Sequence, residues 1–397
     1  MVMQYRYVGI FCLHEYEREP MNIALLGYGT VGRGVDDIIR NCVPDVCVTR
    51  ILELPDRLTD PRMTSDYDQI VADPNVELVV ECMGGIEPAH TCIARALAAG
   101  KHVVTSNKAV VAAHFAEFAE LAAKNDVAFL IEAAVAGGIP WIASIEKVRR
   151  IDDVHMFWGI MNGTTNYIID SMRREGLDFD VALGRAQEMG YAERDPSADI
   201  DGIDVANKTI LSACVAFDVD CVRDLPVSGI RTLSKSDLSQ FASRGMVIKL
   251  FGRGMCKDGK YAVSVEPMAV TQYSLEAAVP SNFNLVSLEG FTVGRLKFYG
   301  QGAGSLPTGN AIVQDVIDAM HGRKQVYDFS RGLTYDPTLL MGDYVFRTNS
   351  MPVAADAWAP NMWLVRNYTS EQARALYERV LQKDPTAFMT GLQKEAS

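Results

Sequence analysis

The 397-residue sequence has no CxxC pair among its eight cysteines, no concentrated basic tract, and no apolar run near the roughly 18 residues needed to cross a bilayer. Each absence excludes something. Cys82, Cys92 and Cys214 sit in apolar surroundings and read as buried, reduced thiols of a cytoplasmic protein, not as a disulfide scaffold. The early apolar stretch YVGIFCL is too short for a signal-peptide core and runs into the charged HEYEREP. With 38 Lys+Arg against 50 Asp+Glu, the net charge is -12 and the cations are scattered, which argues against nucleic acid as a partner. Six histidines show no metal-ligand spacing, so zinc chemistry is not expected. There is no internal repeat and no low-complexity linker.

What is present is a chain with 48% hydrophobic residues, long enough for two domains. From Met21 short apolar strands alternate with helices: NIALLGYG, then VGRGVDDIIRNC, then VCVTRILEL, VELVVECMG, and a helix EPAHTCIARALAAG closing on Gly100. HVVTSN, the helix KAVVAAHFAEFAELAAKN and a strand VAFLIEAAV follow. Strands of near-continuous Val, Ile and Leu between helices predict an α/β, Rossmann-type doubly wound parallel sheet buried on both faces. Beyond about residue 150 the rhythm changes to strand-like VHMFWGIMNG, MVIKLFGRGM and YAVSVEPMAV between helices at 177–189 and 202–217. This predicts a second, α+β domain. The expected organisation is an extension over 1–20, the parallel-sheet domain over 21–150, the α+β domain over 151–320 whose last helix returns to the first, and a C-terminal extension over 321–397. Within that extension, TSEQ from Thr369 fits a capping box at a helix start.

Gly27, Gly29 and Gly32 in LLGYGTVGRG form G-x-G-x-x-G between a strand and a helix. The first glycine permits the tight turn, the second lets a pyrophosphate approach the backbone, and the third lets helix pack on strand. Glu53 ends the next strand, where an acidic side chain accepts both ribose hydroxyls and repels a 2'-phosphate. NAD is therefore favoured over NADP, although Arg50 and Arg57 flank Glu53 and pull the other way.

A second feature is GYAERDPSADIDGIDVANK, rich in carboxylates and ending on a lysine that enters the apolar TILSACVAF. The helix from Gly202 to Phe217 has apolar residues around its whole circumference, as a buried helix does, yet Asp204 and Lys208 share one face at i, i+4 spacing. Two readings stand: an exposed ion pair at the helix start, or a buried lysine whose pKa desolvation lowers until it exchanges protons. Lys108, in VVTSNKAVV, begins a helix at a carboxyl end of the expected parallel sheet, where ligands of such folds bind. Removing hydride from a carbinol carbon also requires the hydroxyl proton to leave, so lysines near a nicotinamide suggest proton traffic beside hydride traffic.

With LLGYGTVGRGV, VVECMGGIEPA, GKHVVTSNKA, IEAAVAGGIP, MNGTTNYI, GYAERDPSADIDGIDVANK and FYGQGAGSLPT in order, the chain resembles the homoserine dehydrogenase family over about 21–320. The resemblance implies reversible NAD(P)-dependent oxidation of L-homoserine to L-aspartate 4-semialdehyde, on the way to threonine, methionine and isoleucine. It implies that Lys108 and Lys208 are catalytic, with Asp204 orienting Lys208, and leaves open which lysine is the proton donor. Glu193 would hold the substrate ammonium, Tyr191 and Asp199 would line the pocket, and Gly163 and Thr164 would meet the ligand through their backbone. Thr30, Val31, Gly84 and Gly302 would join Gly27, Gly29, Gly32, Glu53 and Lys108 around the cofactor. IEAAVAGGIP reads either as a tight loop or, by resemblance, as a monovalent cation site built from backbone carbonyls of Glu132, Val135, Gly137 and Ile139. A homodimer through the sheet of the second domain is also implied.

Gln301 stands where the family often has proline, which lowers the expected rigidity of YGQGAG. Past residue 325 the match fades, and the tail reads as a degenerate regulatory module, an interface arm or packing, with Trp358 and Trp363 as core or interface anchors. Two rival functions remain at this level: an idle dinucleotide sensor, and an oxidoreductase acting on another amino or semialdehyde acid.

Overall fold

The computed structural model describes residues 19–325 and 327–393; residues 1–18 of the expected N-terminal extension lie outside that range. The chain divides into two compact units. The first takes the chain up to Asn107, then Glu117–Ile131, and the stretch opening at Ser305; the second takes Lys108–Ala116, Glu132–Gly304 and the stretch from Tyr327 onward. Compactness thus groups residues 108–116 and 132–150 with the second unit. The helix Lys108–Lys124 carries a non-helical residue, His114, close to where the division falls.

The first unit is a six-stranded parallel sheet. Its order runs Met63–Thr64, Val46–Leu52, Met21–Leu26, Leu78–Glu81, His102–Thr105, Phe129–Leu130. Ile23, Leu25, Val79, Val80, Val103 and Val104 are wholly buried, as strands covered on both faces require. The order reverses between Met21–Leu26 and Leu78–Glu81, which is the switch point where doubly wound sheets bind ligands. The helix Ser305–Met320 lies against Thr30–Cys42 at glycine contacts: a Cβ on Gly34 would stand 2.6 Å from Ser305 Oγ, and one on Gly309 would stand 3.2 Å from the Gly34 carbonyl carbon. One expected strand is shorter than its sequence suggests. VAFLIEAAV supplies only Phe129–Leu130 and then turns into the 3-10 helix Glu132–Ala134, because a short apolar run does not distinguish a strand from a buried turn.

The second unit is built on a ten-stranded sheet whose centre is the hairpin Met246–Lys257 and Lys260–Thr271. Asp258 and Gly259 close it with positive φ values of 50° and 75°, the two-residue turn that matches strand twist. Val154–Ile160, Phe283–Gly290 and Gly294–Gln301 extend the sheet on one side. On the other side Phe388–Leu392, Met341–Arg347, Met362–Thr369 and Asp356–Ala359 continue it. The segment read as a C-terminal extension therefore belongs to the same sheet. It has its own core of Tyr344, Phe346, Val365, Leu376, Val380 and Met389 under the helix Ser370–Leu381, which Thr369 and Gln372 cap reciprocally. Trp358 packs at a tilt against Phe241, with the Arg244 guanidinium 4.2 Å from its ring centroid, and Trp363 donates to Thr348 O at 3.1 Å.

The helix Ile203–Phe217 lies on this sheet over two glycines. A Cβ on Gly252 would meet Thr209 Oγ1 of the helix at 2.1 Å, and one on Gly254 would meet Phe217 of the helix at 3.1 Å and Phe157 of the neighbouring strand at 2.4 Å, so glycine at both positions lets the helix sit this low. Burial of nearly the whole helix follows, with Ile203 left exposed at its start. The polar residues it carries are buried with it.

Candidate functional site

Asp204 stands in the first turn of that helix and Lys208 one turn later, so their side chains meet on one face. Lys208 Nζ donates to Asp204 Oδ2 at 2.8 Å and to Met161 O at 2.7 Å. Lys108 Nζ lies 3.1 Å from the other oxygen, Asp204 Oδ1. One carboxylate thus bridges two ammonium groups brought from opposite ends of the sequence motif set. Both Asp204 and Lys208 are 8% exposed as residues, while the Lys108 side chain is 36% exposed and opens the cluster to a ligand. An exposed surface pair is excluded.

Asn162, which the sequence reading did not single out, organises the carboxylates. Its Nδ2 donates to Asp204 Oδ2 at 2.8 Å and to Asp199 Oδ1 at 2.6 Å, while its Oδ1 caps the helix Gly163–Glu175 by accepting from Thr165 N at 2.8 Å. The signal was there in MNGTTNYI, since Asn before a helix is a preferred cap, but its two carboxylate partners are remote in sequence. Thr164 Oγ1 donates to Tyr191 O at 2.6 Å, and Tyr191 packs edge-on against Tyr167, so the loop after Gly190 is tied to the start of that helix. Gly163 has room for no side chain: a Cβ there would lie 2.6 Å from Asn282 O. Glu193 is exposed, and its charge acts on Lys108 together with those of Asp204 and Asp199.

Attraction by Asp204 raises the Lys108 pKa and outweighs the desolvation that alone would lower it. Burial pushes the Asp204 carboxyl upward, but the charges of Lys208 and Lys108 and the Asn162 bond hold it well below the usual carboxylate range. Asp199 moves the other way: burial raises it and the neighbouring Asp204 charge adds to that, against the Asn162 bond. The resting cluster accordingly holds Lys108 as an ammonium, a group chemically able to donate a proton or polarise a carbonyl.

In the first unit, Gly27 (φ 94°) closes the turn after Met21–Leu26, and a Cβ on Gly32 would lie 2.2 Å from Gly27 O, too close for any side chain. Above Gly29 and Gly84 there is open space, and the helix Thr30–Cys42 begins at Gly29 without a side-chain cap. This is the cradle a pyrophosphate fits: uncapped N–H groups under glycine backbone. Thr30 begins the helix, with Val31 next, and its carbonyl accepts from Ser305 Oγ at 2.8 Å. Glu53 is held at the strand end by Tyr28 N (3.0 Å) and Leu54 N (2.9 Å). Of the nearby cations, Arg50 pairs with Asp73, and Arg62 is clasped by Asp36 and Asp60.

In the second unit Gly302 packs against two groups. A Cβ on it would overlap the Asn284 amide, and a Cβ on Gly137 (φ 58°) would come 2.5 Å from the Gly302 carbonyl. Around this contact the Glu132 carboxylate accepts from Ile142 N at 3.1 Å and Ala143 N at 2.6 Å, capping the helix Trp141–Arg149. Burial pushes Glu132 up to about 7 against those bonds. Among the expected cation carbonyls, Glu132 O accepts from Val135 N and Ile139 O from Trp141 N.

Comparison with known proteins agrees with this layout. Residues 27–132 match the family model described as the homoserine dehydrogenase NAD binding domain, and residues 140–317 match the one described as homoserine dehydrogenase. A homoserine dehydrogenase from Synechocystis is 40% identical over 316 residues, covering 75% of this chain and 73% of that protein. One from Lactococcus lactis is 33% identical over 386 residues, covering 91% and 89%. The crystal structure of a homoserine dehydrogenase from Thiobacillus denitrificans superimposes with a TM-score of 0.84 at 30% identity, covering 95% of this chain and 99% of that one. The chain belongs to the homoserine dehydrogenase family, NAD(P)-dependent oxidoreductases acting on a CH–OH group.

Proposed function

We propose that Lys108, Asp204 and Lys208 form the proton-transfer centre for the interconversion of L-homoserine and L-aspartate 4-semialdehyde. The observation that carries this is the single buried carboxylate between two lysine ammonium groups, one of them partly open. A bound dinucleotide supplies or accepts the hydride. In reduction Lys108 polarises the aldehyde oxygen and gives up its proton; in oxidation the same amine, discharged, takes the hydroxyl proton. Asp204 holds both ammonium groups in place, and Lys208, anchored on Met161 O, keeps Asp204 ionised. Glu193 and Asp199 attract the substrate ammonium, Tyr191 walls the pocket, and the backbone at Gly163 and Thr164 meets the ligand.

For the cofactor we favour NAD over NADP. Glu53 is oriented by two backbone N–H groups, and Arg50, one of the two arginines that flank it in sequence, is engaged by Asp73, which leaves less positive charge for a 2'-phosphate. The loop carbonyls of Glu132, Val135, Gly137 and Ile139 are offered as a monovalent cation site. A homodimer through the second unit's sheet is supported by a cavity of about 540 Å³ lined by Trp158, Met268 and Tyr344 on the sheet, near which Tyr273, Leu275 and Met341 expose apolar surface. We place the protein in the cytoplasm, in keeping with the free thiols of the cysteines among the described residues. No described helix is long and apolar enough to cross a membrane.

The test is homoserine oxidation followed by nicotinamide absorbance, with NAD and then NADP, for the wild type and Lys108→Ala, alongside fluorescence titration of the reduced dinucleotides. Loss of turnover with retained binding is expected for the variant. Undiminished turnover would remove Lys108 from the chemistry, and a clear preference for NADP would overturn the role given to Glu53.

A further inference from the structure

The strand Leu78–Glu81, central in the first unit's sheet, ends on a carboxylate with no exposed surface. A carboxylate withdrawn from water is costly unless donors reach it, and removal of such a group's partners is costlier still. Here Thr105 Oγ1 donates to Glu81 Oε2 at 2.5 Å and Met83 N donates to Oε1 at 2.7 Å. Burial raises the Glu81 pKa, and the Thr105, Met83 and Asn107 hydrogen bonds oppose that rise.

These bonds run into two loops. Thr105 Oγ1, which donates to Glu81, also accepts from Asn107 N at 3.0 Å; the Asn107 amide donates to Gly85 O at 2.7 Å; Ser106 N reaches Glu81 O at 3.4 Å. One loop is thus Cys82–Gly85, with Gly84 at φ 143° and Gly85 at φ 74°, conformations that favour glycine and here lie beside open space at Gly84. The other is Thr105–Asn107, and the next residue in the chain is Lys108, where a helix begins.

We propose that Glu81 is a positioning residue for the reaction, one carboxylate that fixes both the Gly84–Gly85 turn of the dinucleotide cradle and the point from which Lys108 starts. The inference rests on the reading of Lys108 as the proton donor. Charge and geometry matter together. In Glu81→Gln the amide keeps one acceptor for Met83 N but turns a donor toward Thr105, whose hydroxyl then loses its acceptor while Asn107 N still needs it. The Thr105–Asn107 segment must shift, and displacements of the order of 1 Å near reacting groups cost up to about 100-fold in rate.

The experiment compares Glu81→Gln, Thr105→Val, Thr105→Ser, the Glu81→Gln/Thr105→Val double variant and Lys108→Ala. It reads kcat and the homoserine KM per folded enzyme, together with the dissociation constant of the reduced dinucleotide measured by fluorescence without turnover. Glu81→Gln is expected to lower kcat about tenfold or more and weaken dinucleotide binding several-fold, with the homoserine KM little changed. Thr105→Val is expected to lower kcat with binding intact, Thr105→Ser to restore it, and the double variant to be no slower than Glu81→Gln alone, because both act through one hydroxyl. Wild-type kcat and binding in Glu81→Gln, or multiplicative losses in the double variant, would overturn the inference. Should Glu81→Gln fail to fold, the Thr105 pair decides: a loss not restored by serine counts against it. An active Lys108→Ala withdraws the underlying reading, whereas an inactive Lys108→Ala beside a normal Glu81→Gln withdraws only the role of Glu81.

Discussion

Lys208 and Lys249 are both buried lysines of the second unit, and their surroundings are opposite in kind. Lys208 shares Asp204 with Lys108, so burial there comes with an anion. Lys249, with no exposed surface, donates at 2.7 Å to Asn166 Oδ1 and at 2.7 Å to Val279 O, both neutral. Two acceptors suit the two N–H groups of an uncharged amine, and desolvation pushes Lys249 down to about 7, with Asp170 opposing and Arg173 and Arg174 assisting. In the carboxylate cluster the shift goes the other way, since Asp204 raises Lys108. Burial alone therefore does not tell an acid from a base: the partner does.

The largest expected effect breaks this comparison at its functional end. Lys208→Met removes one of the two cations beside Asp204, and turnover should fall by about 10³-fold with dinucleotide binding retained. Lys249→Met, the same substitution in the other environment, should leave kcat within about twofold, since it touches no residue assigned to substrate. Equal losses in the two variants would mean that the carboxylate confers no special role on Lys208.

Asp204→Asn tests the partner. Neutralising it removes the main cause that raises Lys108 and leaves desolvation opposed only by the weaker pulls of Asp199 and Glu193, so that ammonium's pKa falls. On the proposed role of Lys108, semialdehyde reduction draws on the protonated amine, and its alkaline limb should move to lower pH in the variant, with kcat down by about 10²-fold at neutral pH. An unmoved limb in the pH–rate profile would show that another group titrates. Asn162→Ala is expected to act more mildly, with kcat reduced about tenfold as the Asp199 and Asp204 carboxylates lose their shared donor. Loss of the helix cap should add roughly 1 kcal/mol of destabilisation, read as a lower denaturation midpoint.

How much of this could be read beforehand depended on sequence distance. Asp204 and Lys208 were legible because helical spacing makes them neighbours, and the glycine turn because it lies between a strand and a helix in consecutive residues. Asn162, Glu81 and Lys249 were not, since what gives each its meaning is a partner many residues away: Asp204 for the first, Thr105 for the second, Asn166 for the third. Lys249 also sits in the strand Met246–Lys257, where alternation gives a lysine no mark of burial. The tail was illegible for the same reason. Phe388–Leu392 joins the sheet beside Lys260–Thr271, a pairing across more than a hundred residues that no local pattern announces.

The last effect is on stability alone, and it sharpens the contrast between the two lysines. Folded Lys249 titrates near 7, whereas the unfolded side chain titrates near 10.4, as roughly expected for free lysine. Between those values the unfolded chain holds a proton that the folded one has released, so unfolding free energy rises with pH across the window. The contribution is complete above the unfolded value, declines as pH falls toward 7, and is lost below it, where the buried amine must carry its charge among Asn166 Oδ1 and Val279 O. Lys249→Met removes this term while keeping an unbranched side chain for the same space. Denaturant midpoints at pH 7 and pH 9.5 should therefore differ less in the variant than in the wild type, with the variant's gain concentrated at the lower pH. An unchanged difference would mean that Lys249 stays charged in the fold, and that Asp170 compensates it as Asp204 compensates Lys108.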